Sequence, residues 1–329
     1  MTDARHDHGG ATDVERPVLV IGGPTATGKS ALAVALAEQL GGEVINADSM
    51  QVYRDLPILT AQPDEATRAR APHQLYGVLA LDEGCSAGRW RTMAIDSILA
   101  ARAAGRVPIV VGGTGLYLRA LMGGLADIPD TPPEVRARLA ARLEEIGAPA
   151  FHGELSARDP EMGARLRPSD RQRLIRAAEV LEATGRSLAD WQRETRPTLA
   201  GGDVLTFRTV LLNPPRDALY AACDARLLDM MERGALEEAR RIATRDLDPT
   251  LPGVKALGLP ALLSHLRGEI SLEAAVSQAQ SATRHYAKRQ VTWFGRQFIA
   301  DYRVNEKFSE IVLEKSIPII IRFFLTGRF

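Results

Sequence analysis

Short apolar runs alternate with helical patterns along the first 126 residues of the chain. The run Val18–Gly22 ends in glycine, and the helix-forming stretch ALAVALAEQL follows it until two glycines interrupt the pattern at 41 and 42. The same patterns predict further strands at 44–47, 75–81 and 107–111, and a helix at 90–104. Short apolar runs of this kind are typical of buried parallel strands, so their alternation with helices predicts an α/β sheet covered by helices.

The pattern changes after residue 126. Between 129 and 199 the chain shows no convincing strand, only Arg- and Glu-rich helical patterns broken by proline and glycine. The run at 204–212 again has the composition of a strand, and a long helical pattern covers 271–298. These features predict a helical insertion within an α/β core, with the chain returning to the core near residue 203.

The end of the chain has a different texture. Lysine occurs three times in the first 300 residues and twice in the segment 301–329. The apolar stretch SIPIIIRFFL at 316–325 is too short to span a bilayer, which needs about 20 residues. We predict a capping strand or an irregular end there and assign it no function.

Composition narrows the class of protein. The 329 residues are 45% hydrophobic and 25% charged, which excludes a fibrous, collagen-like or wholly disordered chain. Because 41 basic residues balance 41 acidic ones, a nucleic acid would have to be met by local basic patches. Cys85 and Cys223 are far apart and imply no disulfide framework, which fits a cytoplasmic protein. No run predicts a membrane span, and the polar residues 1–16 are predicted to be a disordered tail rather than a signal peptide.

One motif indicates phosphate binding. Between the first predicted strand and helix lies a match to G-x-x-x-x-G-K-[ST], formed by Gly23, Pro24, Thr25, Ala26, Thr27, Gly28, Lys29 and Ser30. Backbone amides of such a loop wrap phosphate oxygens at the positive end of a helix. Lys29 would supply a charge to the distal phosphate, and the Ser30 hydroxyl would be a ligand of Mg²⁺. A diphosphate or triphosphate is therefore expected to bind here.

Together these patterns predict an α/β protein with a P-loop NTPase-like parallel sheet core and a helical insertion domain. The expected divisions are a tail at 1–16, the core at 17–126, the insertion at 127–202, a mostly helical return to the core at 203–300 and an atypical tail at 301–329.

Polar residues follow two of the predicted strands. Asp48 comes directly after the second strand, where it can cap a helix, hold Mg²⁺ or accept a proton from a nucleophile. Gly112, Gly113 and Thr114 follow the fourth strand, where a standard ATPase would more often carry a carboxylate. Asp82 and Glu83 end another apolar run, however, and keep an ATPase interpretation open.

Two local patches are strongly basic. One holds Arg165, Arg167, Arg171, Arg173 and Arg176; the other holds Arg284, Lys288, Arg289 and Arg296, interleaved with Tyr286, Trp293 and Phe294. Basic faces with aromatic residues suit single-stranded nucleic acid through phosphate contacts and base stacking. The alternative is a solvated helix face with Trp293 and Phe294 in the core.

The motifs taken together resemble the tRNA dimethylallyltransferase (tRNA isopentenyltransferase) family over about residues 18–300. The resemblance rests on GPTATGKS at 23–30, ADSMQVYR at 47–54, LTAQP at 59–63, APH at 71–73, VGGTGLYLRAL at 111–121, PEVRARL at 133–139, DRQRLIRAAEV at 170–180 and TRHYAKRQVTWF at 283–294. One departure is Gln62, which stands where the family often has lysine.

The resemblance implies transfer of a dimethylallyl group from dimethylallyl diphosphate to N6 of adenosine 37, just 3′ of a tRNA anticodon. Lys29, Ser30, Mg²⁺ and the loop amides would then stabilise the departing diphosphate. By the same resemblance Thr114 would bond to the bridging oxygen, Asp48 would take the proton from N6, and Arg226 would reach the diphosphate.

The resemblance also implies a tRNA-binding surface. The residues it assigns to tRNA are Asp48, Ser49, Met50, Gln51, Thr114, Arg136, Gln172, Arg173, Leu174, Ile175 and Arg176. The target adenine would be flipped into a channel lined by 48–51, and the insertion would close over the anticodon stem-loop. A cytoplasmic monomer without a membrane partner is expected. The alternatives are a prenyltransferase acting on free AMP, an ATP-driven RNA-binding module and a small-molecule kinase.

Overall fold

The computed structural model describes residues 17–126, 128–194, 199–200, 203–245, 247–249 and 251–328. Residues 1–16, predicted as a disordered tail, lie outside this range. The chain divides into two compact units, a core unit of Met1–Arg119 with Leu199–Phe329 and a helical unit of Ala120–Thr198. The helical unit thus begins seven residues before the predicted start of the insertion at 127, and it ends four residues before the predicted end at 202.

The core unit contains a parallel sheet of six strands. The chain forms β1 (Val18–Gly22), β2 (Gly42–Asn46), β3 (His73–Gln74), β4 (Val107–Gly112), a short antiparallel hairpin of β5 (Leu199–Ala200) and β6 (Asp203–Val204), then β7 (Phe207–Leu212) and β8 (Tyr302–Val304). The sheet order is β3-β2-β4-β1-β7-β8, and every neighbouring pair is parallel. Strands β1, β2 and β4 are buried along their whole length, which explains their continuous apolar sequences.

Helices cover this sheet and build the second unit. The core unit has α1 (Lys29–Leu40), α2 (Glu65–Arg70) and α3 (Ala87–Ala103), and the chain passes into the helical unit within α4 (Gly115–Gly123). The helical unit continues with α5 (Pro133–Arg158), α6 (Pro160–Arg165), α7 (Arg171–Thr184) and α8 (Leu188–Arg193). The core unit then adds α9 (Arg216–Glu232), α10 (Ala235–Ala243), a 3₁₀ turn (Gly253–Lys255), α11 (Leu259–Leu266), α12 (Leu272–Gln297) and α13 (Glu310–Thr326).

The helical unit has an apolar core of its own. Leu139, Leu143, Phe151 and Leu155 of α5 pack with Leu174 of α7 and are at most 7% exposed. Helix α5 is kinked where Gly147 adopts a φ of 77°. A domain inserted into another fold needs its own hydrophobic core, and this cluster provides one.

Two strand predictions need correction. The run 75–81 is not a strand: only His73–Gln74 pairs with β2, and Leu79 forms an isolated bridge with Tyr53. Leu75 and Gly77 both have a φ of 64°, which breaks an extended chain. The run 204–212 is divided between the hairpin strand β6 and the sheet strand β7.

The prediction for the end of the chain was wrong. Residues 302–304 form the edge strand β8, and 310–326 form α13, which begins at the capping residue Ser309. Ile317, Ile320 and Phe324 of α13 join the same apolar cluster as Leu32 and Leu36 of α1. These buried positions are three and four residues apart, which is the spacing of a helix, whereas a strand would bury every second residue. No helix in the described part of the chain is long and apolar enough to cross a membrane.

Candidate active site

The three predicted chemical segments meet at one edge of the sheet. The phosphate loop (residues 23–30) follows β1, Asp48 follows β2, and Thr114 follows β4. Because β2, β4 and β1 are adjacent and parallel, their carboxyl ends bring these segments together, as expected for ligand sites in parallel sheets.

The phosphate loop is shaped by residues at both of its ends. Gly28 has a φ of 81° and is the N-cap of α1, which begins at Lys29 and has no acidic residue in its first turn. A Cβ at Gly28 would lie 2.0 Å from the ring of Phe308, so both the backbone and the space around it require glycine. The positive end of α1 therefore faces the space that the loop encloses.

Lys29 lies within the loop. Its Nζ donates to the Pro24 carbonyl oxygen at 2.5 Å. Burial lowers the pKa of Lys29 to about 7; the charge of Asp48 opposes this shift and that of Arg226 adds to it. A nearby anion stabilises the protonated form of Lys29, so a bound phosphate would favour the charged lysine.

Arg226 approaches the loop from α9. Its Nη2 donates to the Thr25 hydroxyl, which joins α9 to the phosphate loop across 201 residues of sequence. Burial lowers the pKa of Arg226 as well. Lys29 and Arg226 line one cavity, and two cations with little access to water favour the binding of a polyanion there.

Asp48 is held by the turn after β2. Its Oδ1 accepts the Met50 amide at 2.9 Å, and its own amide donates to Asn46 Oδ1 at 2.8 Å. The Asn46 side chain, which is buried, also donates to the Leu75 carbonyl at 3.0 Å. These bonds fix the direction of the Asp48 carboxylate, and none of the described residues hydrogen-bonds to its second oxygen, which is left for a ligand.

Thr114 is bonded to the same turn. Its Oγ1 accepts the Ser49 amide at 2.9 Å and lies 3.2 Å from the Ser49 hydroxyl. Tyr286 of α12 lines the same cavity as Asp48, and its pKa is raised chiefly by burial and further by the charge of Asp48. Thr114 and Asp48 are therefore neighbours in one polar cluster.

Two adjoining cavities open at these residues. The phosphate-side cavity, of about 360 Å³, is lined by 25–31, Asp48, Gln51 and Arg226 among others. The apolar cavity, of about 230 Å³, is lined in part by Met50, Leu59, Cys223, Leu227, Met230, Leu257 and Tyr286. Thr25, Asp48, Thr60 and Arg226 line both. Lys29 and Asp48 thus face one cavity, and the site suits a molecule with an anionic head and an apolar tail.

The residues present fit Mg²⁺ only together with substrate oxygens. The Ser30 hydroxyl and the Asp48 carboxylate both line the phosphate-side cavity and are hard oxygen donors of the type that Mg²⁺ prefers. Among the described residues there is no cluster of three or more His, Cys, Asp or Glu that could hold a metal ion. Mg²⁺ commonly binds through one or two protein oxygens and phosphate oxygens, which agrees with this donor set.

Gln51 is partly engaged within the protein. Its Nε2 donates to the carbonyl oxygens of Thr60 and Ala61 at 2.8 and 2.9 Å, which fastens the loop that lines both cavities. In the part of the chain that the structure covers, its amide oxygen accepts no hydrogen bond. Gln62, at the position where lysine was expected, is 8% exposed and donates to the Tyr53 carbonyl at 2.7 Å.

The helical unit holds the other predicted tRNA contacts. Gln172 and Arg173 are exposed on α7, and neither has an ion pair among the described residues. Arg136 and Arg176 lie within 3.5 and 3.3 Å of Glu179, a carboxylate that is 3% exposed. The prediction for Leu174 needs correction, because its side chain is fully buried in the core of this unit and Ile175 packs against that core.

The second basic patch divides into residues engaged within the protein and the exposed cations Lys288, Arg289 and Arg296. Phe294 is fully buried beneath Gly22 and offers no face to a nucleic-acid base, whereas Trp293 packs against Gly115 and is partly exposed. Arg284 pairs with Asp224 at 2.6 Å. The interpretation as a core residue is correct for Phe294, and Trp293 packs edge-on against Phe294 while staying partly exposed.

The acidic pair considered for an ATPase lies elsewhere in the fold. Glu83 accepts the Ala80 amide at 2.8 Å and pairs with Arg89 at 2.8 Å. Asp82 is exposed. These contacts give Glu83 a local structural role in the turn before α3.

Two buried side chains that support the site had no role in the sequence analysis. Glu238 of α10 is fully buried and accepts the amides of Ile58 and Leu59 at 2.9 and 2.7 Å. Gln290 of α12 bonds to Thr25 and Gly113. Gln290 stands inside a motif of the resemblance, whereas nothing in the sequence around Glu238 distinguishes it from a surface residue.

Comparison with known proteins agrees with this geometry. The family model described as IPP transferase matches residues 51–297, and the one described as isopentenyl transferase matches residues 16–72. The tRNA dimethylallyltransferase of Rhodospirillum centenum is 59% identical over 88% of this chain and 92% of its own. That of Nitrobacter hamburgensis is 54% identical over 94% of this chain and 96% of its own.

Solved structures give the same result. The full-length tRNA isopentenylpyrophosphate transferase from Bacillus halodurans has a TM-score of 0.67 and 30% identity, covering 94% of this chain and 97% of its own. A eukaryotic dimethylallyltransferase acting on tRNA has a TM-score of 0.82 and 28% identity, covering 95% of this chain and 80% of its own. The predicted fold class and the predicted family are thus confirmed, and the chain belongs to the IPP transferase family.

Proposed function

We propose that this protein transfers a dimethylallyl group from dimethylallyl diphosphate to N6 of adenosine 37 in tRNA. The observation that carries the proposal is the pair of adjoining cavities that share Asp48 and Arg226, one at the phosphate loop and one apolar. Relatives above 50% identity that are named tRNA dimethylallyltransferases support the tRNA acceptor.

The donor would lie across both cavities. Its diphosphate would occupy the loop between Lys29 and Arg226, at the N-terminus of α1, and its five-carbon chain the apolar cavity beside Leu227 and Met230. As the allylic C–O bond breaks, the bonding electrons pass to the diphosphate oxygen. Loop amides, Lys29 and Arg226 are placed to stabilise that growing charge, and the Thr114 hydroxyl to bond to the bridging oxygen.

The acceptor nitrogen would attack from the side of Asp48. N6 forms a bond to the carbon of the dimethylallyl group that carried the diphosphate oxygen. N6 also loses one proton, which the Asp48 carboxylate accepts. The Met50 amide holds one carboxylate oxygen at 2.9 Å, and the other would accept the proton where Asp48 lines both cavities. Loss of the diphosphate and attack by N6 would thus both take place beside Asp48, the one carboxylate among the residues that line both cavities.

Mg²⁺ belongs to the same proposal. The Ser30 hydroxyl would be its protein ligand together with diphosphate oxygens, and the ion would neutralise part of the negative charge of the diphosphate.

The acceptor adenine would be flipped out of the anticodon loop to reach this site. The amide oxygen of Gln51, beside Asp48, is placed to bond to its edge. In the helical unit, the exposed cation Arg173 is the strongest candidate for phosphate contact, with Gln172, Arg136 and Arg176 beside it. We propose a monomer acting in the cytoplasm.

The experiment is mass analysis of a tRNA transcript after incubation with dimethylallyl diphosphate and Mg²⁺. The expected result is one dimethylallyl group replacing one hydrogen, located by nuclease digestion at adenosine 37. Parallel reactions with AMP as acceptor and with ATP and RNA test the alternatives. Prenylated AMP without prenylated tRNA, or RNA-stimulated ATP hydrolysis without prenyl transfer, would contradict the proposal.

A further inference from the structure

We infer that Gln290 is a positioning residue that clamps the phosphate loop to the loop carrying Thr114 and thereby sets the geometry of the transfer. The inference rests on the proposed function for its effect on catalysis. Its structural part, that one side chain ties two loops together, stands without it.

The clamp consists of two hydrogen bonds from one amide group. The Thr25 backbone amide donates to Gln290 Oε1 at 2.8 Å, and Gln290 Nε2 donates to the Gly113 carbonyl oxygen at 2.8 Å. Both bonds are buried, and Gln290 is 5% exposed. Buried bonds of this kind are costly to leave unmade, so each loop is held firmly to α12.

The two loops have separate duties in the proposed reaction. Thr25 belongs to the phosphate loop and receives the Arg226 side chain at its hydroxyl. Gly113 directly precedes Thr114, which accepts the Ser49 amide beside Asp48. Gln290 therefore joins the groups around the leaving diphosphate to the groups around the bridging oxygen and the base.

The amide is the group that this position requires. It must accept from one backbone amide and donate to one carbonyl oxygen, and a side-chain amide offers both in one plane. A Cβ at Gly113 would lie 2.3 Å from Gln290 Nε2, so the close approach also depends on glycine there. Tyr286, one helical turn earlier on α12, lines the cavity with Ser49 and Asp48, so the same face of this helix also borders the site.

Gln290 itself touches no reacting atom in this arrangement. Its loss should therefore act through misplacement of the two loops, which at catalytic distances costs about 100-fold for a shift of about 1 Å. Affinity for tRNA, which depends on exposed cations elsewhere, should remain within about twofold.

The first test is hydrogen–deuterium exchange of the full chain, which needs no activity. Gln290→Met should accelerate exchange in peptides covering 22–28 and 111–117, whereas Gln278→Met, at an exposed glutamine of the same helix, should leave both unchanged. Gln290→Glu, measured at pH 8, keeps the acceptor for Thr25 but cannot donate to Gly113, so its effect should be larger in 111–117. Unchanged exchange in both peptides of Gln290→Met would overturn the clamp.

The second test is a double-mutant cycle on prenyl transfer. Gln290→Met should lower kcat about 100-fold while Gln278→Met does not. In a Thr114→Ala background the same substitution should cost clearly less than about 100-fold, because the part of its effect that runs through the position of Thr114 is already lost. Two losses that multiply would overturn the catalytic part of the inference. An inactive parent enzyme would instead refute the proposed function and leave the exchange result to decide on the clamp.

Discussion

Among single residues, Asp48 has the most specific task, since it alone places a carboxylate at the boundary of both cavities. Asp48→Asn keeps the size of the side chain and an oxygen for the Met50 amide but removes the base. We expect prenyl transfer to fall by about 10²–10⁴-fold, the usual contribution of a general base. Affinity for inorganic diphosphate should change only a few-fold, which calorimetry can measure.

Asp82→Asn is the matched control for this prediction. Asp82 is an exposed acidic residue outside the site, so its variant should transfer the prenyl group at the normal rate. Activity surviving in Asp48→Asn, or lost in Asp82→Asn, would place the base elsewhere.

Lys29 gives the site a dependence on pH. Burial lowers its pKa to about 7, and a bound diphosphate must raise it again, because the anion favours the charged form. Lys29 is therefore already charged below pH 7 but must take up a proton on binding above it. The dissociation constant for inorganic diphosphate should rise by up to about tenfold per pH unit above 7, until the pKa of the complex is reached.

Lys29→Arg isolates this effect, because arginine keeps its charge over the whole range. The ratio of the parent to the variant dissociation constant removes the titration of diphosphate itself. A ratio that stays flat from pH 6 to 9 would show that Lys29 remains charged throughout.

At this scale the contiguous phosphate loop could be predicted from sequence, because its glycines, lysine and serine follow one another and need no distant partner to be recognised. The role of Gln290 could not, although the residue stands inside a motif of the resemblance, since its partners lie 265 and 177 residues away along the chain. Leu174 was assigned to RNA by its place in a motif, whereas its own chemistry as a fully buried leucine decides for packing.

Among the helices, α7 carries a proposed RNA-binding cation and a structural one within a single turn. Arg173 is exposed, whereas Arg176 lies 3.3 Å from Glu179, which is 3% exposed and has one oxygen that accepts no hydrogen bond from the described residues. Arg173→Ala should weaken tRNA binding and reduce the salt slope of log K by about one. Its thermal stability should be normal. Binding titrations from low to high salt, with melting curves, test both.

Arg176→Ala is the matched comparison on the same helix. It removes one of the two arginines beside a buried carboxylate, so it should lower the melting temperature as well as the affinity. An unchanged salt slope in Arg173→Ala would mean that this face of α7 is only solvated.

The elements that the sequence predicted well are those with an unambiguous period or full burial, such as β1, β4 and α12. The run 75–81 was misassigned because positive φ at Leu75 and Gly77 is invisible in an apolar sequence. SIPIIIRFFL is apolar at almost every position, so neither a period of two nor one of 3.6 stands out, and only its packing against α1 settles the helix.

In the whole molecule, the last segment is part of the core rather than an appendage. Ile320 is fully buried in the cluster that joins α13 to α1, so Ile320→Ala should lower the free energy of unfolding by about 2–5 kcal/mol. Ile319→Ala, at the neighbouring position that is 39% exposed, should cost only about 0.5 kcal/mol. Urea unfolding curves decide the matter, and equal costs at the two positions would contradict the packing of α13.

The separation of the two cavities has a consequence for turnover. In the proposed reaction the loop, Lys29 and Arg226 would hold the diphosphate end of the donor, and the transferred five-carbon chain would leave only the apolar cavity. The released diphosphate would therefore keep the stronger half of the donor's contacts and compete with the next donor for them. Steady flux through such a site depends on how fast pyrophosphate is cleared from the surrounding solution by hydrolysis.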